Sequence, residues 1–276
     1  MLETLKTNKC FGGSTKTFEH ESKVTKTKMK FSAFLPKEET HFDTCIIWLS
    51  GLTCNEDNFI TKAGAQQFLK DTKTMIVCPD TSPRGLDLPG EHESYDFGSG
   101  AGFYLSATTE GYKDHYKMDQ YITDELVSIL TENFGVKRFS IMGHSMGGHG
   151  ALTLGLKNPD LFKSVSAFSP MVNPSATPWG RKALAGYLGS NEEEWKQYDA
   201  TELIKKGTKR SDTMLIDQGL NDEFFEKELV TKNLEKAAEA ASQALEVKYR
   251  EGYDHSYFYI STFIKEHIDF HLKALT

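Results

Sequence analysis

The apolar positions of this chain change period several times, and each change marks an element. Residues 21–35 alternate apolar and polar side chains, with Val24, Met29, Phe31 and Phe34 set among lysines and threonines. That spacing predicts a half-exposed antiparallel strand, or a pair of strands with a break. Residues 44–50 (TCIIWLS) form a continuous apolar run, as expected of a strand covered on both faces. A helix is predicted over 59–69 and a second buried strand over 75–79, so that a parallel crossover joins the two strands. Residues 81–109 carry Gly, Pro, Ser and aromatics without a sustained period, which marks a long ordered loop. Ile122, Leu126, Ile129 and Leu130 then recur at helical spacing within 118–134.

After that helix comes FSIMGHSMGGHGALTLGLKN, residues 139–158, which reads as a short apolar strand, a glycine-lined turn and an immediate helix. Further strands are expected at 164–168, 213–217 and 246–250, with helices over 224–244 and 257–272. Residues 173–209, with a helix near 192–198, read as an excursion above a sheet and not as a crossover. Repeated strand-helix alternation predicts an α/β fold whose mostly parallel sheet is covered by helices on both faces. The chain is taken as a single domain over 1–276 with a cap-like insertion near 173–209.

Composition narrows the function classes. The 276 residues are 38% apolar and 26% charged, values of an ordinary globular protein. A net charge of −7 without a basic stripe argues against nucleic acid or an anionic membrane as partner. Only Arg84, Arg138, Arg181, Arg210 and Arg250 are arginines, so phosphate recognition is disfavoured. The first residues lack an apolar core of signal-peptide length and no later run is long enough to span a membrane, which gives a cytoplasmic expectation. Cys10, Cys45, Cys54 and Cys78 show neither metal spacing nor a CxxC pair and are expected as thiols, with Cys45 and Cys78 as core fillers. No metal or cofactor motif is present. Gly98-Ser99-Gly100-Ala101-Gly102 neither follows a clear strand nor opens a helix, so it is not read as a dinucleotide loop.

The chemistry centres on Gly143-His144-Ser145-Met146-Gly147, a nucleophile-elbow pattern in its strand-turn-helix setting. Glycines two residues to either side of the serine are required where a Cβ would strike the neighbouring strand and helix. Such a serine needs a base, and the base an orienting acid, in the chain order Ser, Asp or Glu, His. Asp217-Gln218-Gly219-Leu220-Asn221-Asp222 follows the strand at 213–217 and offers two aspartates. Asp222, in the turn before a helix, is preferred and Asp217 is held in reserve. His255 lies in the loop between the last strand and the last helix, where the base belongs. The backbone N–H of Met146 is expected as one oxyanion donor, and that of Leu52, after the strand at 44–50, as the other. His144 and His149 are too close in sequence to Ser145 to act as its base and are read as packing or supporting the turn. His267 and His271, one helical turn apart, have no evident third ligand and are read as part of a solvated helix face. His92 in the long loop is left unassigned.

Five separated motifs together carry a resemblance. They are Ser50-Gly51-Leu52-Thr53-Cys54; Ser94-Tyr95-Asp96-Phe97-Gly98 with Gly100-Ala101-Gly102-Phe103-Tyr104; Gly143 to Gly150; Asp217-Gln218-Gly219 with Asp222-Glu223-Phe224; and Tyr253-Asp254-His255-Ser256-Tyr257. In this order they resemble the S-formylglutathione hydrolases of the esterase D family over essentially the whole chain. The resemblance implies an α/β-hydrolase fold, a cytoplasmic homodimer and cleavage of S-formylglutathione to formate and glutathione in formaldehyde detoxification. A side activity on short-chain esters is implied as well. It implies Ser145 as nucleophile, His255 as base, Asp222 as its orienter, and Leu52 and Met146 as oxyanion donors, without a cofactor. It also makes Cys54 a thiol beside the site and puts Trp179 near the acyl pocket. A general short-chain carboxylesterase and a non-catalytic binding module on the same scaffold are the competing expectations.

Overall fold

The computed structural model describes residues 2–276, the side chain of Glu38 excepted. Its strands are β1 (Glu3–Cys10), β2 (Gly13–Glu21), β3 (Lys28–Leu35), β4 (Thr44–Leu49), β5 (Thr74–Pro79), β6 (Arg138–His144), β7 (Phe162–Phe168), β8 (Met214–Gly219) and β9 (Leu245–Arg250). They form one sheet in the order β1-β2-β3-β5-β4-β6-β7-β8-β9. The first three strands are antiparallel and β3 joins β5 antiparallel; from β5 to β9 every pairing is parallel. The expected α/β-hydrolase architecture, with the β4-to-β5 parallel crossover, is what the chain adopts.

Alternation within the parallel strands divides the core between two layers. Ile46 and Trp48 of β4 face one layer with Phe59, Ile76, Met142 and the inner side of the last helix, Tyr257–Leu275. Cys45, Ile47 and Leu49 face the other, which holds Val77, Ile141, Val165 and residues from the helical stretch 118–134 and the helix Met146–Lys157. Burial on both faces is why these strands read as unbroken apolar runs. Cys45 and Cys78 are fully buried in these layers, as their apolar neighbourhoods predicted.

Several elements differ from the sequence reading. The alternating stretch is indeed a pair of strands with a break, but its first member starts at Gly13, and β1 precedes it. Seven of the eight β1 residues are exposed, so this edge strand is held by backbone pairing and displays no apolar period. The helix expected over 59–69 divides at Gly64, whose φ of +68° ends Asp57–Lys62 before Gln66–Leu69 begins. The helix expected over 224–244 becomes a π turn, Phe225–Leu229, then Thr231–Ala241, divided at Val230 in the left-handed region. Within 173–209 the helices Pro178–Leu188 and Ala200–Lys205 accompany the expected one near Glu192–Trp195. Gly180 and Gly186 obscured the first: a Cβ at Gly180 would lie 2.2 Å from Pro174 O, and one at Gly186 2.3 Å from the Phe97 ring. Both glycines serve close packing inside a helix that their low propensity argues against.

Candidate active site

The carboxyl ends of β4, β6, β8 and β9 feed loops that converge on one pocket of about 370 Å³. Ser145 leaves β6 with φ 58° and ψ −119°, and the helix Met146–Lys157 starts at the next residue. Such a backbone costs on the order of 1–3 kcal/mol and persists only where its surroundings fix it. Here Ser145 N donates to Phe168 O at 3.0 Å, while Ser145 O accepts from His149 N at 3.0 Å and Met171 N at 3.2 Å. The two flanking glycines have the steric role expected of them. A Cβ at Gly143 would stand 2.2 Å from Gly147 O, and one at Gly147 2.0 Å from Leu49 O. The turn and the end of β4 are therefore packed backbone against backbone, which no larger residue permits.

His255 follows β9 and immediately precedes the last helix, whose N-terminus is capped by the Ser256 side chain. Its Nδ1 bonds Asp222 Oδ2 at 2.5 Å, and Asp222 Oδ1 accepts from Phe224 N at 2.9 Å. The loops carrying the two are stitched together by Leu220 N to Arg250 O at 3.0 Å and Asn221 N to Tyr253 O at 2.9 Å. Nδ1 bound to a carboxylate leaves Nε2 as the free ring nitrogen. Ser145 and His255 both line the pocket, though no direct hydrogen bond joins them among the described residues. Unliganded hydrolytic sites commonly tighten that contact only with substrate in place.

Asp217 is engaged elsewhere. Fully buried, it accepts from Arg250 Nε at 2.6 Å, Arg250 Nη2 at 2.9 Å and His267 Nε2 at 3.2 Å. Burial acts to raise its pKa, but the hydrogen bonds from His267 and Arg250 outweigh it and hold the carboxyl below its ordinary value. His267 and His271 correct the sequence reading. Both are fully buried on the sheet-facing side of the last helix, His267 bonded to Ser166 at 2.8 Å and His271 to Ser164 and Ser166 at 2.7 Å each. Serines on β7 supply the polar partners that let two histidines enter the core. Among the described residues no group of three or more His, Cys, Asp and Glu is arranged to hold a metal.

His144 and His149 pack around the turn. The His144 ring lies 4.3 Å from that of His255, and burial, with His255 adding to it, depresses its pKa well below the usual value. His149 Nε2 donates to Phe103 O at 3.0 Å, and burial pushes its pKa down to about 4. Both rings are therefore neutral at pH 7. His92 is exposed, bonds Asp87 at 3.2 Å and does not line the pocket.

Among the described residues, neither of the two expected oxyanion donors has a protein acceptor. The Met146 amide, first in its helix, has no intrahelical partner. Beside Leu52, the amides of Thr53 and Cys54 donate to Gly100 O and Gly51 O, whereas no acceptor within the described residues takes that of Leu52. Leu52 and Cys54 line the pocket, and burial raises the Cys54 thiol pKa, keeping it protonated. Trp179, brought by the segment after β7, packs 4.7 Å from Phe224, which in turn meets the His255 ring edge-on at 5.0 Å. Tyr95 of the long loop extends this wall, 6.1 Å from Trp179. Asn58, Lys62, Tyr95, Phe224 and Tyr257 also line the pocket and were not assigned to it from the sequence: Asn58 and Lys62 come from the helix Asp57–Lys62, and the three aromatics, although inside the five motifs, arrive from three separate loops and helix starts.

Comparison with known proteins extends these observations. A family model described as putative esterase matches residues 22–270. A rat protein named S-formylglutathione hydrolase is 48% identical over 278 residues, covering 99% of this chain and 99% of its own. An Arabidopsis thaliana protein of the same name is 47% identical, covering 99% and 98%. Among solved structures, an S-formylglutathione hydrolase from Agrobacterium tumefaciens superposes with a TM-score of 0.95 at 41% identity, over 99% of each chain.

Proposed function

This chain belongs to the esterase family and is a hydrolase, and we propose that it cleaves S-formylglutathione to formate and glutathione with Ser145 as nucleophile. The observation that carries the proposal is the convergence, in one pocket, of Ser145 at its strained turn and His255 held by Asp222. Full-length identity near 48% to S-formylglutathione hydrolases supports the substrate.

In this reading His255 Nε2 takes the Ser145 proton as Oγ attacks the formyl carbon, and Asp222 stabilises the imidazolium that forms. The tetrahedral oxyanion is received by the N–H groups of Leu52 and Met146, neither of which donates to a protein acceptor among the described residues. Collapse breaks the C–S bond, and protonated His255 delivers its proton to the departing sulfur. Water, deprotonated by the same imidazole, attacks the formyl ester; formate leaves and Ser145 regains its proton. Cys54, protonated and outside this proton path, serves as pocket wall.

The segment 173–209 acts as a cap on a single domain, its contribution being Trp179 at the acyl side. We place the enzyme in the cytoplasm as a homodimer acting in formaldehyde detoxification, on the thioester that exists once the glutathione adduct has been oxidised to the formyl level; no helix among the described residues is long and apolar enough to cross a membrane. The test is a comparison of kcat/KM for S-formylglutathione and an aryl acetate on the purified protein. A ratio well above one is expected; a ratio below one refutes the substrate assignment. Ser145→Ala is expected to abolish both activities.

A further inference from the structure

The pocket wall holds two chemically different groups. Tyr95, Trp179 and Phe224 form one, an aromatic wall whose Phe224 meets the His255 ring. The short helix Asp57–Lys62 supplies the other, Asn58 and Lys62, which lie four residues apart and so share a helix face, with the Tyr257 ring between Lys62 and that of His144 in the chain of contacts. Among the described lining residues Lys62 is the only permanently charged side chain. No acidic group among the described residues pairs with it; its ammonium instead lies 5.4 Å from the centroid of the Tyr257 ring, itself part of the pocket. An aromatic face that attracts the ammonium steadies the flexible stem without neutralising the charge. Asn58 uses its Oδ1 to accept from Asn55 N at 2.9 Å, so its amide NH₂ remains available as a donor.

We propose that Lys62, with Asn58 beside it, is a carboxylate-binding subsite for the thiol leaving group of the substrate. The inference rests on the thioesterase reading above. Glutathione carries two carboxylates and one ammonium, hence a net negative charge at neutral pH, and neither carboxylate can enter the aromatic wall without a heavy desolvation cost. The leaving group must therefore run toward the helix that offers donors, which places the small formyl group against Trp179. An unpaired cation at the mouth of a pocket adds attraction for an anionic substrate and leaves a neutral ester unaffected. Because the subsite touches a part of the substrate distant from the reacting bond, it acts in binding and not in the chemical step.

The experiment uses Lys62→Met and Lys62→Glu, both conservative of fold because the side chain is exposed. For S-formylglutathione, KM should rise about fivefold in Lys62→Met and more in Lys62→Glu, with kcat unchanged. KM and kcat for the neutral 4-nitrophenyl formate should not move. Wild-type KM for the thioester should also rise with salt, and that dependence should weaken in Lys62→Met. Repeating the assay with the thioester of glutathione ethylated at its glycyl carboxylate identifies the partner: loss of the Lys62 effect assigns the glycyl end, its persistence the glutamyl end. An unchanged KM for S-formylglutathione in both variants, or an equal change for the neutral ester, overturns the proposal. Inhibition of aryl ester hydrolysis by S-methylglutathione gives a readout independent of thioester turnover. If wild type fails to prefer S-formylglutathione but its inhibition constant still depends on Lys62, the substrate reading fails and the subsite stands.

Discussion

Asp222 Oδ2 meets His255 Nδ1 at 2.5 Å, while Asp217, five residues earlier on the same segment, is turned into a buried cluster with Arg250 and His267. Two aspartates flanking one strand end thus have different work. Asp222→Asn is expected to lower kcat by about 10³–10⁴-fold, because the amide no longer favours the required imidazole tautomer or its charged form. Its melting temperature should change little. Asp217→Asn leaves Arg250 and His267 without their carboxylate and should cost about 3–5 kcal/mol of stability, with kcat of the folded fraction largely kept. Steady-state kinetics beside thermal unfolding separates the two; the reverse pattern would show that Asp217 orients the base.

Gly147 is predicted to be irreplaceable. An alanine there drives a methyl to 2.0 Å from Leu49 O, between the elbow and the end of β4, and neither backbone has freedom to withdraw. Overpacking of this kind costs about 3 kcal/mol, or a melting temperature lower by roughly 6–10 °C in a protein of this size. Activity should fall further than stability does, since the shift displaces both Ser145 and the loop carrying Leu52. Calorimetry combined with an aryl acetate assay at a temperature where the variant is folded measures both effects.

Stability should fall with acid in a defined window. His149 has its pKa pushed down to about 4 by burial, whereas in the unfolded chain it titrates near its ordinary value of 6.5. Between those values the unfolded state binds a proton that the native state does not, so the contribution is intact above pH 6.5 and declines as pH falls toward 4, by roughly 3 kcal/mol in total. His144 and His271, also depressed, add to the same slope. Urea unfolding at pH 7, 6 and 5 measures the slope. His149→Gln, whose amide still reaches Phe103 O, should flatten it, and an unaltered slope would remove His149 from the account.

Acyl length should be discriminated steeply. With Trp179 and Phe224 closing the wall beside His255, kcat/KM is expected to drop roughly 10–200-fold from acetyl to octanoyl esters. Trp179→Ala should relax the difference to below about tenfold by raising the rate for long chains. Equal wild-type rates for acetyl and octanoyl esters would show that this wall does not bound the acyl side.

Much of this molecule was legible in its sequence, for reasons of local physics. Strands buried on two faces must be continuously apolar, so 44–50 and 75–79 disclosed a parallel sheet. The elbow was readable because its glycines are demanded by backbone contacts at 2.0–2.2 Å, a requirement that admits no other residue. The order Ser145, Asp222, His255 followed from strand ends succeeding one another along the chain. Other features have no local signature. β1 lies exposed at the sheet edge, where no alternation is needed. His267 and His271 have the spacing of a helix face, but whether that face meets solvent or core is decided by Ser164 and Ser166 on a strand about a hundred residues away. Likewise DQGLND contains two eligible aspartates; the turn before a helix favours Asp222, but nothing in the segment shows what occupies Asp217. Arg250 and His267 reach Asp217 only because β9 pairs with β8 and the last helix packs on the sheet. That leaves Asp222, past the end of β8, as the carboxylate that meets His255. The sequence determined the fold and the candidate chemistry because periodicity and steric demand act between near neighbours; the partner of each charged group was decided by tertiary structure, because charges pair across the sheet with whatever the packing brings within reach.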